Sequence, residues 1–406
     1  MKISIISIGD ELLSGFTINT NASWIGSTLT SIGCSICNQI TVEDNKKSII
    51  EGLENLSKKS VDLILLTGGL GSTNDDITRE TLFSFLSSNP IFDELYWEKL
   101  KKKVSKSGYK IPVSMKNQAI IPDNGKMIPN STGSARGIHF KYKNIEIISL
   151  PGVPSEMKEM MSKTVIPFIL DRISIPKITK ELRTFGISES RISNKINLIT
   201  REYKNCKVGY YPSLKGVDIR VSGYIQNDVT TLVSKIIKKI NVYIYSKGKK
   251  TMEEVIVDLL NQKGKSFSIA ESCTGGLISS RITNVSGSSK VFNGSVVSYS
   301  NRSKVELLNI DKNMINKYGA VSRQVANLMA LNTLKLFSSD YAISVTGIAG
   351  PLGGSKLKPV GLVYVGFSNS LKTKVKKFQF GTDRIANKIK ISQVSLNIIR
   401  EALIND

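Results

Sequence analysis

Hydroxyl, lysine and tyrosine side chains recur near the end of the chain, in segments that each follow an apolar run. These segments are 270–276 (AESCTGG), 287–289 (GSS), 299–304 (YSNRSK) and 346–351 (TGIAGP). A serine becomes a nucleophile only when a base removes its proton, and a lysine can be that base if burial lowers its pKa from about 10.4 towards ~7–8. Because the chain has a single histidine, His139, the set indicates a hydrolase that uses serine, lysine and tyrosine instead of a Ser–His pair.

These segments are predicted to lie where strands turn into helices. Ser272, Gly275 and Gly276 follow the apolar run 266–270, and two adjacent glycines let backbone amides approach a ligand. The start of a helix also favours a phosphate, although a tight turn with a serine cap is the alternative. Asn301 is the predicted cap of the next helix, which places Lys304 in its first turn and close to Tyr299.

A second glycine-rich turn, 67–78 (TGGLGSTNDDIT), follows a buried strand in the first half of the chain. Its backbone amides can cradle a phosphate, and its two carboxylates suit a hard cation of the Mg²⁺ type. The phosphate-binding candidates are Gly68, Gly69, Gly71 and Thr73, and the metal candidates are Asp75 and Asp76. Asn19, in a polar turn after the first strand, is expected at the same edge; a glycine turn with an Asp cap and no ligand is the alternative.

Composition limits the class of protein. The chain has 406 residues, 40% of them hydrophobic, which predicts two or three globular domains. No apolar run approaches the roughly 18 residues of a membrane helix, so we expect no membrane association and a cytoplasmic location. The net charge of +23 suggests nucleic-acid binding, but the lysines are spread along the whole chain, which argues against a binding groove. The four cysteines are interpreted as reduced thiols.

The order of predicted elements divides the chain into three regions. Residues 1–170 alternate strands and helices, which predicts a doubly wound, mostly parallel α/β sheet. Residues 171–250 are typical of a small α+β domain, and residues 251–406 return to α/β order. Between 171 and 250 no two glycines are three apart, so an RNA-clamping Gly-x-x-Gly loop is not expected there.

The motifs of residues 251–406 resemble the C-terminal domain of the CinA family, named for competence and damage induction. They include 270–276, 287–289, 299–301, 319–322 (GAVS), 346–351 and 358–361 (KPVG). The resemblance implies an α/β/α amidase domain that converts nicotinamide mononucleotide to nicotinate mononucleotide and ammonia without a cofactor. It implies Ser289 as nucleophile with Tyr299 and Lys304 as proton-transfer partners. Ser272 stays open as a rival nucleophile. The residues it implies for substrate binding are Ser272, Gly275, Gly276, Thr346, Gly347 and Arg384.

The first region resembles the molybdopterin-binding (MogA/MoaB-like) domain of full-length CinA proteins, and segment 150–157 (LPGVPSEM) matches as well. This resemblance implies hydrolysis of ADP-ribose to AMP and ribose 5-phosphate with a divalent metal of the Mg or Co type. Ser72 and Arg136 depart from the family, which usually has proline at both positions. The middle region resembles the KH-like α+β domain of the same proteins.

The sequence therefore predicts a bifunctional hydrolase of pyridine-nucleotide salvage that acts on small nucleotides. Relatives imply a homodimer. Two alternatives stay open: a non-catalytic competence protein that binds DNA, and a pterin-binding protein.

Overall fold

The computed structural model describes residues 1–73, 75–106, 111–173 and 177–405. The chain divides into two compact units, residues 1–179 with 223–226 and residues 180–222 with 227–406. Each unit is described by itself below.

The first unit is built on a six-stranded sheet and a short two-stranded ribbon. The strands are β1 (Lys2–Ile8), β2 (Ser35–Val42), β3 (Leu63–Thr67), β4 (Pro90–Phe92), β5 (Ile120–Pro122), β6 (Lys126–Ile128), β7 (Gly137–Tyr142) and β8 (Ile145–Leu150). The large sheet has the order β2-β1-β3-β8-β7-β6, and β4 pairs with β5. Strands β2, β1, β3 and β8 are parallel to one another. Strand β7 runs antiparallel to β8, and β6 runs antiparallel to β7. This confirms the predicted mostly parallel sheet.

Helices cover both faces of this sheet. They are α1 (Asp10–Leu13), α2 (Thr20–Ser31), α3 (Lys46–Ser57), α4 (Thr78–Phe85), α5 (Glu94–Lys106), α6 (Pro154–Met160) and α7 (Ile166–Leu170). Successive side chains of a strand point to opposite faces, so Leu63 and Leu65 of β3 pack with α2, and Ile64 and Leu66 pack with α3. Each face therefore has its own apolar core, as a doubly wound fold requires.

The second unit begins with a small α+β domain. Its strands are β9 (Ile178–Thr184), β10 (Cys206–Ser213), β11 (Gly216–Gly223) and β12 (Ile244–Ser246), and its helices are α8 (Glu189–Glu202) and α9 (Gln226–Ile240). The sheet order is β10-β11-β9-β12. This matches the predicted KH-like middle domain.

The rest of the second unit is a three-layer α/β/α domain. Its strands are β13 (Phe267–Glu271), β14 (Phe292–Val297), β15 (Tyr341–Gly347), β16 (Leu362–Asn369) and β17 (Thr373–Gln379). Its helices are α10 (Met252–Lys263), α11 (Leu277–Thr283), α12 (Asn301–Leu308), α13 (Lys312–Tyr318), α14 (Arg323–Leu336) and α15 (Arg384–Asn405). The sheet order is β14-β13-β15-β16-β17. Strands β14, β13 and β15 are parallel neighbours, whereas β16 runs antiparallel to β15 and β17 antiparallel to β16.

Serine hydroxyls cap two helices of this domain. The Ser322 hydroxyl accepts from the Val325 amide and caps α14. The cap of α12 is Ser300 and not Asn301, because the Ser300 hydroxyl accepts from the Ser303 amide. The pairing of β13 with β14 contains a bulge: Phe267 pairs with Phe292, but Ser268 pairs with Gly294.

No helix in the described ranges has the length and apolar character that a membrane span requires.

Candidate functional site

Three parallel strands of the C-terminal domain end at one edge of the sheet. Glu271, the last residue of β13, pairs with Val297 of β14 on one side and Val345 of β15 on the other. The residues that follow on each strand therefore lie close together. Ser272 comes directly after β13, and its amide donates to the carbonyl of Val345.

Lys304 lies in the first turn of α12 and is only 1% exposed. Its Nζ donates to Ser272 Oγ over 3.0 Å and to the carbonyl oxygen of Ser298 over 2.7 Å. No carboxylate lies within salt-bridge distance of this ammonium in the described part of the chain. Burial lowers the pKa of Lys304 to about 8, because an apolar environment disfavours the charged form. A lysine base and a serine hydroxyl thus form a hydrogen-bonded pair at the strand edge.

Ser289, the serine favoured by the sequence, lies elsewhere. It is exposed on the short 3₁₀ helix Ser288–Lys290 before β14. Neither Lys304 nor Tyr299 forms a hydrogen bond with it among the described residues. The structure therefore brings Lys304 to Ser272, the rival nucleophile, and leaves Ser289 apart.

Tyr299 and Arg384 meet at the mouth of this site. Arg384, the first residue of α15, donates from Nη2 to the phenolic oxygen of Tyr299 over 2.9 Å and from Nη1 to the Gly350 carbonyl over 3.0 Å. Tyr299 is more than half exposed, so its ring faces solvent where a substrate could reach it.

Glu271 is a fully buried carboxylate at the start of α11. It accepts from the amides of Gly276, Ile278 and Ser279 over 2.8–3.1 Å and from the Ser279 hydroxyl over 2.6 Å. A carboxylate at this position satisfies the unpaired amides of a helix start and interacts favourably with the helix dipole. The Gly275 amide donates to the Ser272 carbonyl, so the amides of both predicted glycines are engaged within the chain.

Thr346 and Gly347 end β15 at the same edge of the sheet. The buried Thr346 hydroxyl donates to the Ala320 carbonyl over 2.8 Å. A side chain at Gly347 would meet Val363 and the Leu362 carbonyl within 3 Å. Close packing alone accounts for this glycine, and the predicted contacts of both residues with substrate stay predictions.

Cys273 is buried, and burial raises the pKa of its thiol to about 12. A thiol with such a pKa is protonated at neutral pH and is a poor nucleophile. Cys273 is therefore not a candidate nucleophile at neutral pH.

The first unit carries the second candidate site, at the carboxyl ends of β1 and β3. Gly68 and Gly69 have φ angles of 116° and 62°, which residues with a side chain rarely adopt. A Cβ on Gly68 would lie 2.3 Å from the Ile8 carbonyl oxygen, so only glycine fits there. Both Gly68 and Asn19 line a cavity of about 150 Å³. The Asn19 side chain accepts from the Ala22 amide and so caps α2.

The carboxylates near this turn surround Asp44. Burial and the charges of Asp76, Asp10, Glu11 and Asp75 raise the pKa of Asp44 to about 6. The Oδ1 atom of Asp44 is buried without a hydrogen-bond partner. Asp44 was not identified from the sequence, because it follows β2 and reaches the cluster only through the fold.

The predicted metal residues Asp75 and Asp76 are not arranged as a pair of ligands. Asp76 Oδ2 accepts from both the amide and the hydroxyl of Thr73, while Asp75 is exposed. Gly71 packs closely on the Asp76 carboxylate. Asn74 in this turn lies outside the described residues. Within the described ranges, no three Asp, Glu, His or Cys side chains converge as a metal site.

The whole chain is similar to known proteins. Three family models match: "Probable molybdopterin binding domain" over residues 4–171, "Damage-inducible protein CinA KH domain" over 179–246 and "CinA C-terminal domain" over 249–403. A CinA-like protein of Prochlorococcus marinus (strain MIT 9515) is 38% identical over 413 residues, which cover 99% of this chain and 94% of that protein. The chain belongs to the CinA family.

A further relative is similar to the whole chain, and a solved structure is similar to part of it. A CinA-like protein of Geotalea uraniireducens (strain Rf4) is 36% identical over 414 residues, covering 100% of this chain and 98% of that protein. The crystal structure of the competence/damage inducible protein CihA from Agrobacterium tumefaciens is 35% identical, covers 37% of this chain and 93% of that chain, and has a TM-score of 0.37.

Arg136, at one of the two positions where the resemblance implies a proline, is buried, and its charge is paired although its Nε has no hydrogen-bond partner. Its Nη1 donates to Asp93 Oδ2 over 2.8 Å, and its guanidinium stacks on the Tyr96 ring at 3.6 Å. The charge introduced by this departure is therefore paired within the protein. The Asp93 and Tyr96 partners lie about forty residues earlier, so the sequence alone did not indicate them.

Proposed function

We propose that this CinA-family chain is a nucleotide hydrolase whose C-terminal domain deamidates nicotinamide mononucleotide. The observation that carries the proposal is the 3.0 Å hydrogen bond between Lys304 Nζ and Ser272 Oγ. A base within hydrogen-bond distance of a serine, with a pKa near the working pH, is what nucleophilic catalysis requires. Ser272 takes the role of nucleophile in this proposal in place of Ser289.

The reaction follows from this pair. Neutral Lys304 accepts the Ser272 proton while Oγ attacks the carboxamide carbon of the nicotinamide group. The tetrahedral intermediate then breaks its C–N bond, and ammonia leaves with the proton that Lys304 took from Ser272, delivered directly or relayed through the Tyr299 hydroxyl, which leaves the lysine neutral. Water, deprotonated by the same lysine, hydrolyses the resulting ester, which releases nicotinate mononucleotide and restores Ser272.

Release of ammonia from nicotinamide mononucleotide, with and without EDTA, tests this function. We expect release that survives EDTA and is lost in Ser272→Ala. The loss should reach at least about 10³-fold, as for other enzymes deprived of an activated serine. Ser289→Ala is the matched control and should keep near wild-type activity. Loss in Ser289→Ala with activity retained in Ser272→Ala would assign the nucleophile to Ser289 instead.

For the first unit we propose metal-dependent hydrolysis of ADP-ribose to AMP and ribose 5-phosphate. The negative cluster around Asp44 and the unpaired Asp44 Oδ1 support a cation there, although no three ligands converge in the described residues. A divalent cation would neutralise the pyrophosphate charge, and Asp44 would hold it together with the phosphate oxygens. Titration calorimetry with ADP-ribose in the presence of Mg²⁺ tests the assignment: no heat would contradict it, and heat with a pterin instead would favour a pterin-binding protein.

We also propose that the protein is a homodimer located in the cytoplasm. Sedimentation of the full chain at two concentrations tests the dimer. Steep salt-dependent DNA binding at physiological ionic strength would instead favour the non-catalytic competence protein.

A further inference from the structure

We propose that Arg384 and Lys388 together bind the phosphate of the mononucleotide, and that the N-terminus of α11 does not. This inference rests on the proposed amidase function. Lys388 was not among the residues identified from the sequence.

The backbone amides at the start of α11 have no donor left for a phosphate. The Gly275 amide donates to the Ser272 carbonyl and the Leu277 amide to the Thr274 carbonyl. The amides of Gly276, Ile278 and Ser279 all donate to the Glu271 carboxylate. Every amide from 275 to 279 is thus occupied within the chain. The buried negative charge of Glu271 would also repel a phosphate dianion placed on this turn.

A phosphate bound beside this turn therefore needs cations from another element. Lys388 supplies one: its Nζ lies 3.8 Å from the position that a Cβ on Gly275 would occupy. Gly275 is exposed and is three residues after Ser272, so the ammonium reaches the outer side of the turn that holds the proposed nucleophile.

Arg384 supplies the second cation on the same face of α15. Residues four apart on a helix are neighbours, so its guanidinium and the Lys388 ammonium can contact one anion. Arg384 is exposed and is oriented by Tyr299 and Gly350. In the described part of the chain neither cation has a carboxylate within 4 Å. The nearby Asp383 carboxylate accepts from the Ala386 amide over 2.7 Å and so caps the helix.

The experiment compares a substrate that has the phosphate with one that lacks it. Ammonia release from nicotinamide mononucleotide and from nicotinamide riboside is measured for the wild type, Lys388→Met, Lys388→Arg and Lys390→Met. Lys390 is the matched control, because residues two apart lie on different sides of a helix. Loss of a charge-assisted hydrogen bond to phosphate is expected to lower kcat/KM about tenfold or more.

We expect Lys388→Met to show this loss for the mononucleotide and no change for the riboside, Lys388→Arg to restore the rate, and Lys390→Met to match the wild type. Equal loss on both substrates, or no loss on either, would overturn the phosphate site. If the wild type releases ammonia from neither substrate, the amidase function fails. The phosphate site is then judged by thermal shift with nicotinamide mononucleotide, where stabilisation of wild type but not of Lys388→Met supports it and equal shifts overturn it.

Discussion

The guanidinium of Arg384 donates to the phenolic oxygen of Tyr299 over 2.9 Å. Because an arginine can only donate hydrogen bonds, the tyrosine oxygen is the acceptor, and its own proton stays available for another partner. The backbone carbonyl of the same tyrosine lies 3.5 Å from Lys304 Nζ. Tyr299 therefore connects the proposed base to the proposed phosphate residues.

Tyr299→Phe tests the role of that proton. If the hydroxyl donates to the departing ammonia, kcat for nicotinamide mononucleotide should fall about 10²-fold, in the range of general acid catalysis, while KM changes little. Steady-state ammonia release measures both constants. A change confined to KM would mean that Tyr299 only positions Arg384.

The pH dependence of the amidase should follow Lys304. The base must be neutral to accept the serine proton, and burial lowers its pKa to about 8. We therefore expect kcat/KM to rise with pH and to level off above about pH 8, since kcat/KM reports the pKa values of the free enzyme. A profile that is flat between pH 6.5 and 9.5 would contradict a lysine base.

Lys304→Met should stabilise the protein while abolishing its activity. The pKa of Lys304 is lower in the folded protein than in the unfolded chain, so burying this lysine lowers the free energy of unfolding. The destabilisation is complete below pH 8 and disappears as pH rises from about 8 to 10.5. The gain at pH 7 is on the order of 2 kcal/mol, after allowing for the lost hydrogen bonds to Ser272 and Ser298. Thermal unfolding at pH 7 and pH 10 measures it. A variant that is less stable at pH 7 would show that these hydrogen bonds outweigh desolvation.

Glu271→Gln should destabilise the C-terminal domain. An amide replaces one acceptor oxygen with a donor that faces the amides of α11, which leaves buried donors unpaired. The expected loss is roughly 3 kcal/mol of unfolding free energy, and kcat should fall because the turn that carries Ser272 loosens. Glu306→Gln is the control, since Glu306 forms an exposed i,i+4 pair with Arg302 worth little. Equal melting temperatures for the two variants would refute this account.

Asp44→Asn should stabilise the first unit at neutral pH. The pKa of Asp44 is raised to about 6, so the folded protein binds a proton more readily than the unfolded chain. Stability from this group is therefore greatest below its ordinary pKa and is lost as pH rises through 6. Melting curves should show the full benefit of the variant at pH 7.5 and a smaller one at pH 5, because pH 5 lies between the ordinary pKa of an aspartate and 6. The variant should also lose any thermal shift produced by Mn²⁺, whereas an unchanged Mn²⁺ shift would remove Asp44 from the proposed cation site.

Much of the fold could be predicted because its signals are local. The apolar runs Leu63–Thr67 and Ile145–Leu150 form strands, as their length and apolar character indicate. Lys304 lies in the predicted first turn of its helix. Such features depend on residues within a few positions of each other, where periodicity and capping act.

The partners within each site could not be predicted in the same way. Lys304 pairs with a serine thirty-two residues away, and which serine it meets depends on the neighbour of β13 in the sheet. Asp44 joins its cluster through the pairing of β2 with β1. Glu271 is one residue from Ser272 in the sequence, yet its role depends on the path of the chain after it. Motifs indicate which residue types do chemistry, whereas strand order and register decide which of them meet.

The bulge in β14 determines which residues of β14 lie beside which residues of β13. Between Phe292 and Gly294 the strand has one residue more than β13, and the Asn293 side chain anchors this extra residue to the Phe337 carbonyl over 3.1 Å. Because side chains alternate along a strand, a slip of one residue turns each of them to the other face. Deleting Asn293 would move the whole segment up to Lys304 by one step against Ser272. β14 ends four residues after Asn293, at Val297 beside Glu271, which is about 13 Å further along the strand. A single extra residue at the other end of β14 therefore sets the alignment of Lys304 with Ser272.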